Sequence, residues 1–330
     1  MKIEKLSEIK NILDNAVEKY SSICILTHKN PDGDGLCASL ALQELLLNKN
    51  KKADIILEVE APDTYDFLQG FQRTKVFSQS LIYELIIILD CHEKERIGIC
   101  APLLFTAKKV IAIDHHIERD MIPEADTYID TKITSVGAIL FNMYEKEIKD
   151  LPEKSSNYIA KAMYTTIIND TDNFLNSNIN AETFDICSKL MKYNIFPGNI
   201  TEKFIYNKPV NQIIFVGEVL SSIRTFNNDQ VLFMGSNREM LRRNRLGNEA
   251  TTKLTRWVKG TRNVKVTVCY QEINKNLYRL SLRSNFIDVN RIATKYGGGG
   301  HQKASGCEIK ENLENIIEMI LNDIREQLDN

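Results

Sequence analysis

Three short apolar runs, each followed at once by a residue that can bind a metal ion, constrain the fold of this chain more than any other feature. They are residues 23–27 before His28, residues 85–89 before Asp90, and residues 110–113 before Asp114. Strands that are apolar at nearly every position are typical of a parallel sheet buried on both faces. Ligands of such sheets bind beyond the carboxyl ends of the strands. The sequence therefore predicts a parallel sheet with a polar site at one edge.

Helical periodicity separates these runs. Apolar residues recur at helical spacing in residues 3–17, and residues 54–57 predict one more strand. Residues 30–35 are rich in glycine and proline and predict a loop. Further helices are predicted at residues 36–47, 64–70, 135–147, 155–168 and 181–193. Alternating strands and helices indicate an α/β domain with helices on both faces of the sheet.

The second part of the chain has a different pattern. Residues 194–224 are largely helical in pattern, with breaks at Pro197 and Pro209. Strand signals follow at residues 230–234, 264–269 and 277–282, and helical signals at residues 286–296 and 311–327. A chain of 330 residues is longer than one hydrophobic core usually spans. We therefore predict a parallel-sheet domain at 1–190, a helical linker at 191–224 and a smaller α+β domain at 225–330.

Composition narrows the class of protein. The chain has no apolar run of the roughly 20 residues that span a bilayer and begins without a secretion signal, so we expect a cytoplasmic protein. Its seven cysteines form no Cys-x-x-Cys pair, which favours buried thiols over disulfides or a zinc ribbon. The net charge of −2 argues against a protein that coats long nucleic acid. The basic stretch 242–265 is either a solvated face or a surface that steers an anionic substrate.

The polar clusters at the strand ends share one chemistry. Three of the five histidines, His28, His115 and His116, stand beside aspartates there, and a fourth cluster contains Asp170 and Asp172. Carboxylates suit hard divalent cations, and imidazole admits Mn²⁺ and similar ions. Two metals a few ångströms apart need a shared carboxylate, such as one that ends a central strand. His92 lacks this setting and is interpreted as structural or as a support for the site.

A second candidate site lies in the C-terminal part. Gly297, Gly298, Gly299 and Gly300 precede His301, and glycines leave backbone N–H groups open to an anion. Upstream, Arg283 and Ser284 end a predicted strand, and an arginine can bind a phosphate through two hydrogen bonds. We favour substrate binding over a structural turn here.

These motifs together resemble the DHH phosphoesterase superfamily. The resemblance rests on His28-Lys-Asn-Pro-Asp-Gly-Asp34, Leu89-Asp90, Asp114-His-His116 and Asn169-Asp170-Thr171. The glycine run with His301, and Ser281-Leu-Arg-Ser284, are similar to the DHH-associated domain. The order and length are similar to the bifunctional oligoribonuclease and 3′-phosphoadenosine-5′-phosphate (pAp) phosphatase family. Two positions depart from that family: Asp172 stands where glycine is frequent, and Ser305 where alanine is common.

The resemblance implies a role for each matched residue. Two divalent ions, Mn²⁺ above Mg²⁺ or Co²⁺, would be bound by His28, Asp32, Asp34, Asp90, His115 and Asp170, with Asp90 shared. His116 would face the substrate phosphate, and Asp114 would orient the histidines. In the second domain Arg283 and His301 would bind a terminal phosphate, with Ser284, Gly298, Gly299 and Gly300 beside them.

The implied activity is two-metal hydrolysis of short oligoribonucleotides, of linear dinucleotides such as pApA and pGpG, or of pAp. The implied partner is therefore a short RNA or nucleotide; we expect no long DNA and no membrane, and a homodimer stays open. The alternatives are an exopolyphosphatase or inorganic pyrophosphatase, an exonuclease of long single strands, and a nucleotide-binding protein without turnover. The intact set of aspartates argues against the last.

Overall fold

A seven-stranded sheet organises the first part of the molecule. The computed structural model describes residues 1–68, 70–251 and 254–328, and its contacts divide into two units, Met1–Asn207 and Lys208–Asn330. The strands of the first unit are β1 (Lys2–Ile3), β2 (Ile23–Leu26), β3 (Ala53–Leu57), β4 (Thr74–Val76), β5 (Leu85–Leu89), β6 (Lys109–Asp114) and β7 (Ala125–Ile129). Their order is β1-β7-β6-β5-β2-β3-β4, and each neighbouring pair is parallel. The predicted parallel sheet is confirmed.

Helices connect the strands. They are α1 (Leu6–Lys19), α2 (Gly33–Asn48), α3 (Lys94–Ile97), α4 (Val136–Lys149), α5 (Glu153–Asp170), α6 (Ala181–Met191) and α7 (Pro197–Thr201). Short 3₁₀ segments occur at Asp63–Tyr65, Phe71–Arg73 and Gly98–Thr106, and a π-helical turn at Glu202–Tyr206. Within the described part of the helix predicted at 64–70, only residues 64 and 65 are helical, as part of the 3₁₀ turn Asp63–Tyr65. Gln69 of that prediction lies outside the described residues.

Both faces of the sheet are covered, as its apolar strands require. Ile25 and Ile87 pack on one face in a large core shared with α1, α2, α4, α5 and α6. Cys24 and Ile86 point the opposite way and pack against a smaller core. That second core is built by α3 and the 3₁₀ segment after it, including Ile97 and Cys100. Alternate residues of one strand therefore serve two cores, which explains the unbroken apolar runs.

Two local predictions near the sheet edge are wrong. Residues 30–35 are not a loop throughout, because α2 begins at Gly33 and places Asp34 in its first turn. The Asp32 side chain accepts a hydrogen bond from the backbone N–H of Asp34 (3.0 Å) and caps the helix. Aspartate, here Asp32, is favoured at a helix start because its side chain replaces a missing backbone partner.

The second wrong prediction concerns Asp170. It follows no strand and is the last residue of α5.

The second unit contains a six-stranded mixed sheet. Its strands are β8 (Arg224–Phe226), β9 (Val231–Ser236), β10 (Val266–Asn274), β11 (Leu277–Ser284), β12 (Gly299–His301) and β13 (Ala304–Lys310), in the order β12-β13-β11-β10-β9-β8. Its helices are α8 (Val210–Ser221), α9 (Arg238–Asn244), α10 (Val289–Lys295) and α11 (Leu313–Leu328). One face packs on α10 and α11, and the other on α8 and α9. The predicted α+β architecture is confirmed.

The border between the units falls inside the stretch 191–224. Helix α7 and the π-helical turn belong to the first unit, and α8 belongs to the second. All seven cysteines are buried and free, as the sequence predicts. Among the described residues, the helices lack the length and apolarity needed to cross a membrane.

The glycine run has a structure that the sequence did not predict. Gly299, Gly300 and His301 form strand β12, which pairs antiparallel with β13. The carbonyl of Gly306 lies 2.1 Å from the point where a Cβ at Gly298 would stand, so the two strands approach more closely than a side chain allows. The run is therefore part of a hairpin and not an open loop.

A left-handed turn follows the last residue of α5. Asp172, Asn173 and Phe174 have φ angles of 49°, 56° and 64°. Left-handed backbone costs an L-residue about 1–2 kcal/mol, and aspartate and asparagine tolerate it better than most. This explains how Asp172 can occupy a position where the family that the sequence resembles often has glycine.

We expect Asp172→Gly to be more stable than Asp172→Ala by about 1 kcal/mol, because only glycine relieves the left-handed strain. Both variants remove the carboxylate, so the difference isolates the backbone. Urea unfolding of the two variants measures it. An alanine variant as stable as the glycine variant would contradict the strain.

Candidate metal centre

The carboxyl edge of the sheet brings together side chains from four parts of the chain. Strands β6, β5 and β2 are adjacent, so the residues that close or follow them meet at this edge. Helix α2 begins at the same edge, and α5 ends there. The residues they contribute are His28, Asp32, Asp34, Asp90, Asp114, His115, His116 and Asp170. The structure thus assembles every metal ligand suggested by the sequence.

Asp90 lies between two groups of potential ligands. Its Oδ2 is 3.3 Å from His28 Nε2, in a group completed by Asp32. Its Oδ1 is 3.6 Å from His115 Nε2. One carboxylate therefore offers a separate oxygen to each group, the arrangement needed for a shared ligand.

The second group gathers around His115. Its Nε2 is 3.0 Å from Asp170 Oδ2 and 3.6 Å from Asp34 Oδ2. Asp34 is fully buried, and Asp90 is 1% exposed. The acidic oxygens thus lie in a place where water cannot screen them, and bringing such charges together is costly without a cation.

The pKa values reflect this crowding. Burial and the nearby charges of Asp170 and Asp90 raise the pKa of Asp34 well above its usual value. Burial alone would lower the pKa of His28, but contacts with Asp32 and Asp90 raise it to about 10. The metal-free site therefore attracts protons, and any cation that enters must replace them.

Two buried atoms of this ligand set have no hydrogen-bond partner among the described residues: Asp90 Oδ1 and His115 Nε2. Buried polar atoms are nearly always paired. Both atoms lie in the His115 group and have free electron pairs when the imidazole is neutral there. Carboxylate and imidazole donors in this number fit divalent cations such as Mn²⁺.

Backbone features hold the ligands in place. The N–H groups of Val136 and Gly137, at the start of α4, donate to Asp34 at 2.7 and 3.1 Å. Gly35 lets α2 approach the sheet, since a Cβ there would stand 2.0 Å from Thr27 Oγ1 and 3.3 Å from Asp90 Oδ2. Glycine is therefore required by close contact at this position, not by its φ angle.

Asp114 forms hydrogen bonds with the neighbouring histidines and so orients them. Its Oδ1 accepts hydrogen bonds from the backbone N–H of His115 (2.7 Å) and His116 (3.2 Å) and lies 2.8 Å from His116 Nδ1. Its Oδ2 lies 2.6 Å from Nδ1 of His92. Burial would raise the pKa of Asp114, but these contacts with His116 and His92 hold it well below its usual range.

His92 was the histidine that the sequence analysis placed outside the ligand set, as a structural or supporting residue. It is fully buried and follows Asp90 by two positions, yet its partners lie more than twenty residues away along the chain. Its distance of two residues from Asp90 was the only signal available.

In the second unit, the sheet register brings Arg283 and His301 to one face. Arg283 pairs with Ala304, and Ala304 pairs with His301. Directly paired residues point to the same side of a sheet, so the two side chains are separated by two strand spacings, roughly 10 Å, with only the methyl group of Ala304 between them. In the next row on this face, Gly299 pairs with Gly306, and neither has a side chain.

Ser284 does not join this face. It is 6% exposed, and its hydroxyl donates to the carbonyl of Lys265 (2.9 Å). The same oxygen accepts hydrogen bonds from the backbone N–H of Phe286 and Ile287. The hydroxyl is occupied by its own turn, so we do not retain Ser284 as a substrate ligand.

The basic stretch is partly neutralised. Arg242 pairs with Glu239 at 2.8 Å, and Arg243 pairs with Glu218 at 2.7 Å. Lys253 lies outside the described residues. These pairs favour the solvated-face interpretation at the start of the stretch.

Comparison with known proteins identifies a domain in each part of the chain. Residues 22–167 match the DHH family, N-terminal domain, and residues 240–326 match the DHHA1 domain. Two proteins named "bifunctional oligoribonuclease and PAP phosphatase NrnA" are similar over most of the chain. That of Mycoplasma pneumoniae is 25% identical over 322 residues and covers 95% of each chain. That of Bacillus subtilis is 25% identical over 309 residues, with 91% of this chain and 93% of its own covered.

A solved structure supports the fold. The exopolyphosphatase-related protein of Bacteroides fragilis superposes with a TM-score of 0.86 at 21% identity, covering 97% of this chain and 96% of its own. The chain therefore carries a DHH domain in its first unit and a DHHA1 domain in its second unit, and it is an enzyme that hydrolyses phosphoester bonds.

Proposed function

We propose that this enzyme hydrolyses short oligoribonucleotides, linear dinucleotides such as pApA and pGpG, and pAp, with two divalent cations, Mn²⁺ above Mg²⁺ or Co²⁺. The observation that carries the proposal is the position of Asp90, whose two oxygens face two groups of ligands. One cation would be held by His28, Asp32 and Asp90, and the other by Asp34, Asp90, His115 and Asp170. The NrnA relatives, named for both activities, support the choice of substrates.

The cations, when bound, supply Lewis acidity and a water of lowered pKa. The chain supplies orientation. Because Asp114 engages Nδ1 of His116, the other ring nitrogen is left for the substrate. The His116 side chain is 42% exposed, whereas that of His115 is only 12% exposed. His116 is thus the histidine positioned to face a phosphate oxygen through Nε2.

We assign recognition of a substrate phosphate to Arg283 and His301. Both are exposed on one sheet face, beside glycines that leave space for an anion. Burial lowers the pKa of Arg283, but the guanidinium keeps its charge at any physiological pH. A requirement for a phosphate at a fixed position favours short substrates, because only a strand end can satisfy it.

A substrate panel tests the proposal. It contains pAp, pApA, pGpG and RNA of about two to about twenty-four nucleotides, with pyrophosphate and polyphosphate as alternatives, each with Mn²⁺ or Mg²⁺. We expect the fastest turnover with pAp or RNA of fewer than about six nucleotides. Faster turnover of pyrophosphate or polyphosphate would assign the enzyme to the alternative class.

Asp90→Asn should lower kcat by more than about 100-fold and reduce the number of Mn²⁺ ions bound per chain. The reason is that changes to residues that merely support a ligand already cost about 10–100-fold. Hydrolysis assays and equilibrium dialysis measure the two effects. Asp130→Asn is the matched control, because Asp130 follows strand β7 as Asp90 follows β5, and its side chain accepts a hydrogen bond from the backbone N–H of Lys132 instead of joining the ligand groups. Full activity of Asp90→Asn would exclude the shared ligand.

The metal-free protein should lose thermal stability as the pH rises from about 6 to about 8.5. The pKa values of His28 and His115 are raised to about 10 and about 12, above the value near 6.5 of an unfolded histidine. Their stabilisation is full below about 6.5 and declines as the pH rises towards the folded values.

Added Mn²⁺ should have the opposite dependence, because the metal replaces those protons and binds more tightly at higher pH. Differential scanning calorimetry of protein with and without Mn²⁺ measures both trends. A larger Mn²⁺-induced shift at about pH 6 than at about pH 8.5 would contradict the protonated metal-free site.

Arg283→Ala should raise KM for pAp about 10–100-fold while changing kcat less, since a charged hydrogen bond contributes about 1.5–3 kcal/mol. Steady-state kinetics measure the two constants. Arg279→Ala is the control: Arg279 lies on the same strand and face but is paired with Glu308 at 2.9 Å. Equal effects of the two substitutions would remove Arg283 from the phosphate site.

A further inference from the structure

A buried histidine outside the predicted site connects the turn after β5, where Asp90 lies, to the segment 114–122. His92 is fully buried. Its Nδ1 lies 2.6 Å from Asp114 Oδ2, and its Nε2 accepts a hydrogen bond from the backbone N–H of Arg119 at 3.1 Å. The backbone carbonyl of His92 accepts from the N–H of Ile122 at 2.9 Å. One residue therefore makes three contacts with the segment 114–122.

These contacts fix the tautomer of His92. Because Nε2 accepts from a backbone N–H, it cannot carry a proton, and the proton of the neutral ring must be on Nδ1. The bond to Asp114 is therefore a donation from Nδ1–H to Oδ2. With that oxygen engaged, Oδ1 remains for His116 Nδ1 and the two backbone N–H groups.

The path of the chain explains how His92 reaches this place. Asp90 has a φ of 61°, in the left-handed region. The extended strand β5 ends directly before this residue, and Glu93 then forms an antiparallel bridge with Met121. Asp90, the strained residue shared by the two ligand groups, is thus also the residue after which the chain brings His92 against Asp114.

We propose that His92 is a positioning residue for the hydrolytic reaction, holding Asp114, and through it His116, in the orientation that faces the substrate. This inference rests on the proposed function. Any buried histidine needs partners at its ring nitrogens; the specific observation here is that the partner at Nδ1 is Asp114, the same carboxylate that engages His116. His92 itself is enclosed and touches no substrate, so its effect must pass through Asp114.

Three substitutions separate orientation from packing. His92→Leu keeps much of the volume and removes both hydrogen bonds. His92→Asn places an amide N–H where Nδ1–H stands and keeps only the bond to Asp114. Cys91→Ala is the control, because Cys91 is equally buried in the same segment and its Sγ bonds to the carbonyl of Glu93 (3.3 Å), not to Asp114.

We expect His92→Leu to lower kcat for pAp or short RNA about 10–100-fold with KM unchanged, as for other residues that support a site from behind. His92→Asn should recover part of the loss, and Cys91→Ala should keep wild-type kcat. Melting temperatures of all variants show whether they are folded. Wild-type kcat in His92→Leu, or equal losses in the leucine and asparagine variants, would overturn the proposal.

Histidine ring ¹H–¹⁵N spectra give a readout that does not depend on turnover. In folded wild-type protein loaded with Mg²⁺, His92 should show the neutral Nδ1–H form, and His116 a single protonated Nδ1. In His92→Leu the His116 signals should shift or broaden. A proton on His92 Nε2, or unchanged His116 signals, would refute the positioning role. If wild-type protein hydrolyses no substrate of the panel, the proposed function fails while the spectra still decide the role of His92.

Discussion

Repulsion among carboxylates at the carboxyl edge of the parallel sheet is the constraint on which the rest of the structure depends. Asp34 and Asp90 are almost completely buried, and Asp170 reaches the same histidine that they do. Such a cluster cannot persist as bare negative charge in a medium of low dielectric constant. It needs protons or metal ions, so the stability of the first unit and its chemistry depend on the same atoms.

The fold holds these charges with backbone groups more than with long side chains. The first N–H groups of α4 bind Asp34, where the helix dipole also favours a negative charge. Gly35 lets helix α2 lie close against Asp90. Short aspartates on rigid elements have few rotamers, so their oxygens can keep the fixed separations that a metal site requires.

The sequence predicted the parts of the site that depend on local pattern. Continuous apolar strands located Asp90 and Asp114, because burial on both faces leaves a clear signal. Asp170 was wrongly grouped with the strand ends, although the residues before it, 155–168, were correctly predicted as the helix that Asp170 ends. Strand β7 was not predicted, because it contains Asp126 and Thr127 and has no unbroken apolar run.

What depends on distant contacts could not be predicted. The partners of His92 are brought to it by the sheet and by the turn at Asp90, and neither is visible in residues 91–93. The glycine run was expected to bind substrate through open backbone N–H groups, and its pairing with β13 as a strand was not predicted. The pairing is set by residues 304–306, and local glycine content gives no indication of it.

The hairpin also explains why serine at position 305, where alanine is common in related proteins, does not change the sheet face that carries Arg283 and His301. Neighbouring residues of a strand point to opposite sides, so Ser305 faces away from the side shared by Ala304 and Gly306. It is 5% exposed, and its hydroxyl donates to the carbonyl of Val289 at 2.7 Å. The exchange of alanine for serine is thus accommodated inside the second unit. A side chain at Gly299 or Gly306 would instead stand in the row beside Arg283 and His301. If these two residues bind a phosphate as proposed, the glycines, and not position 305, are therefore the residues of this hairpin that phosphate binding constrains.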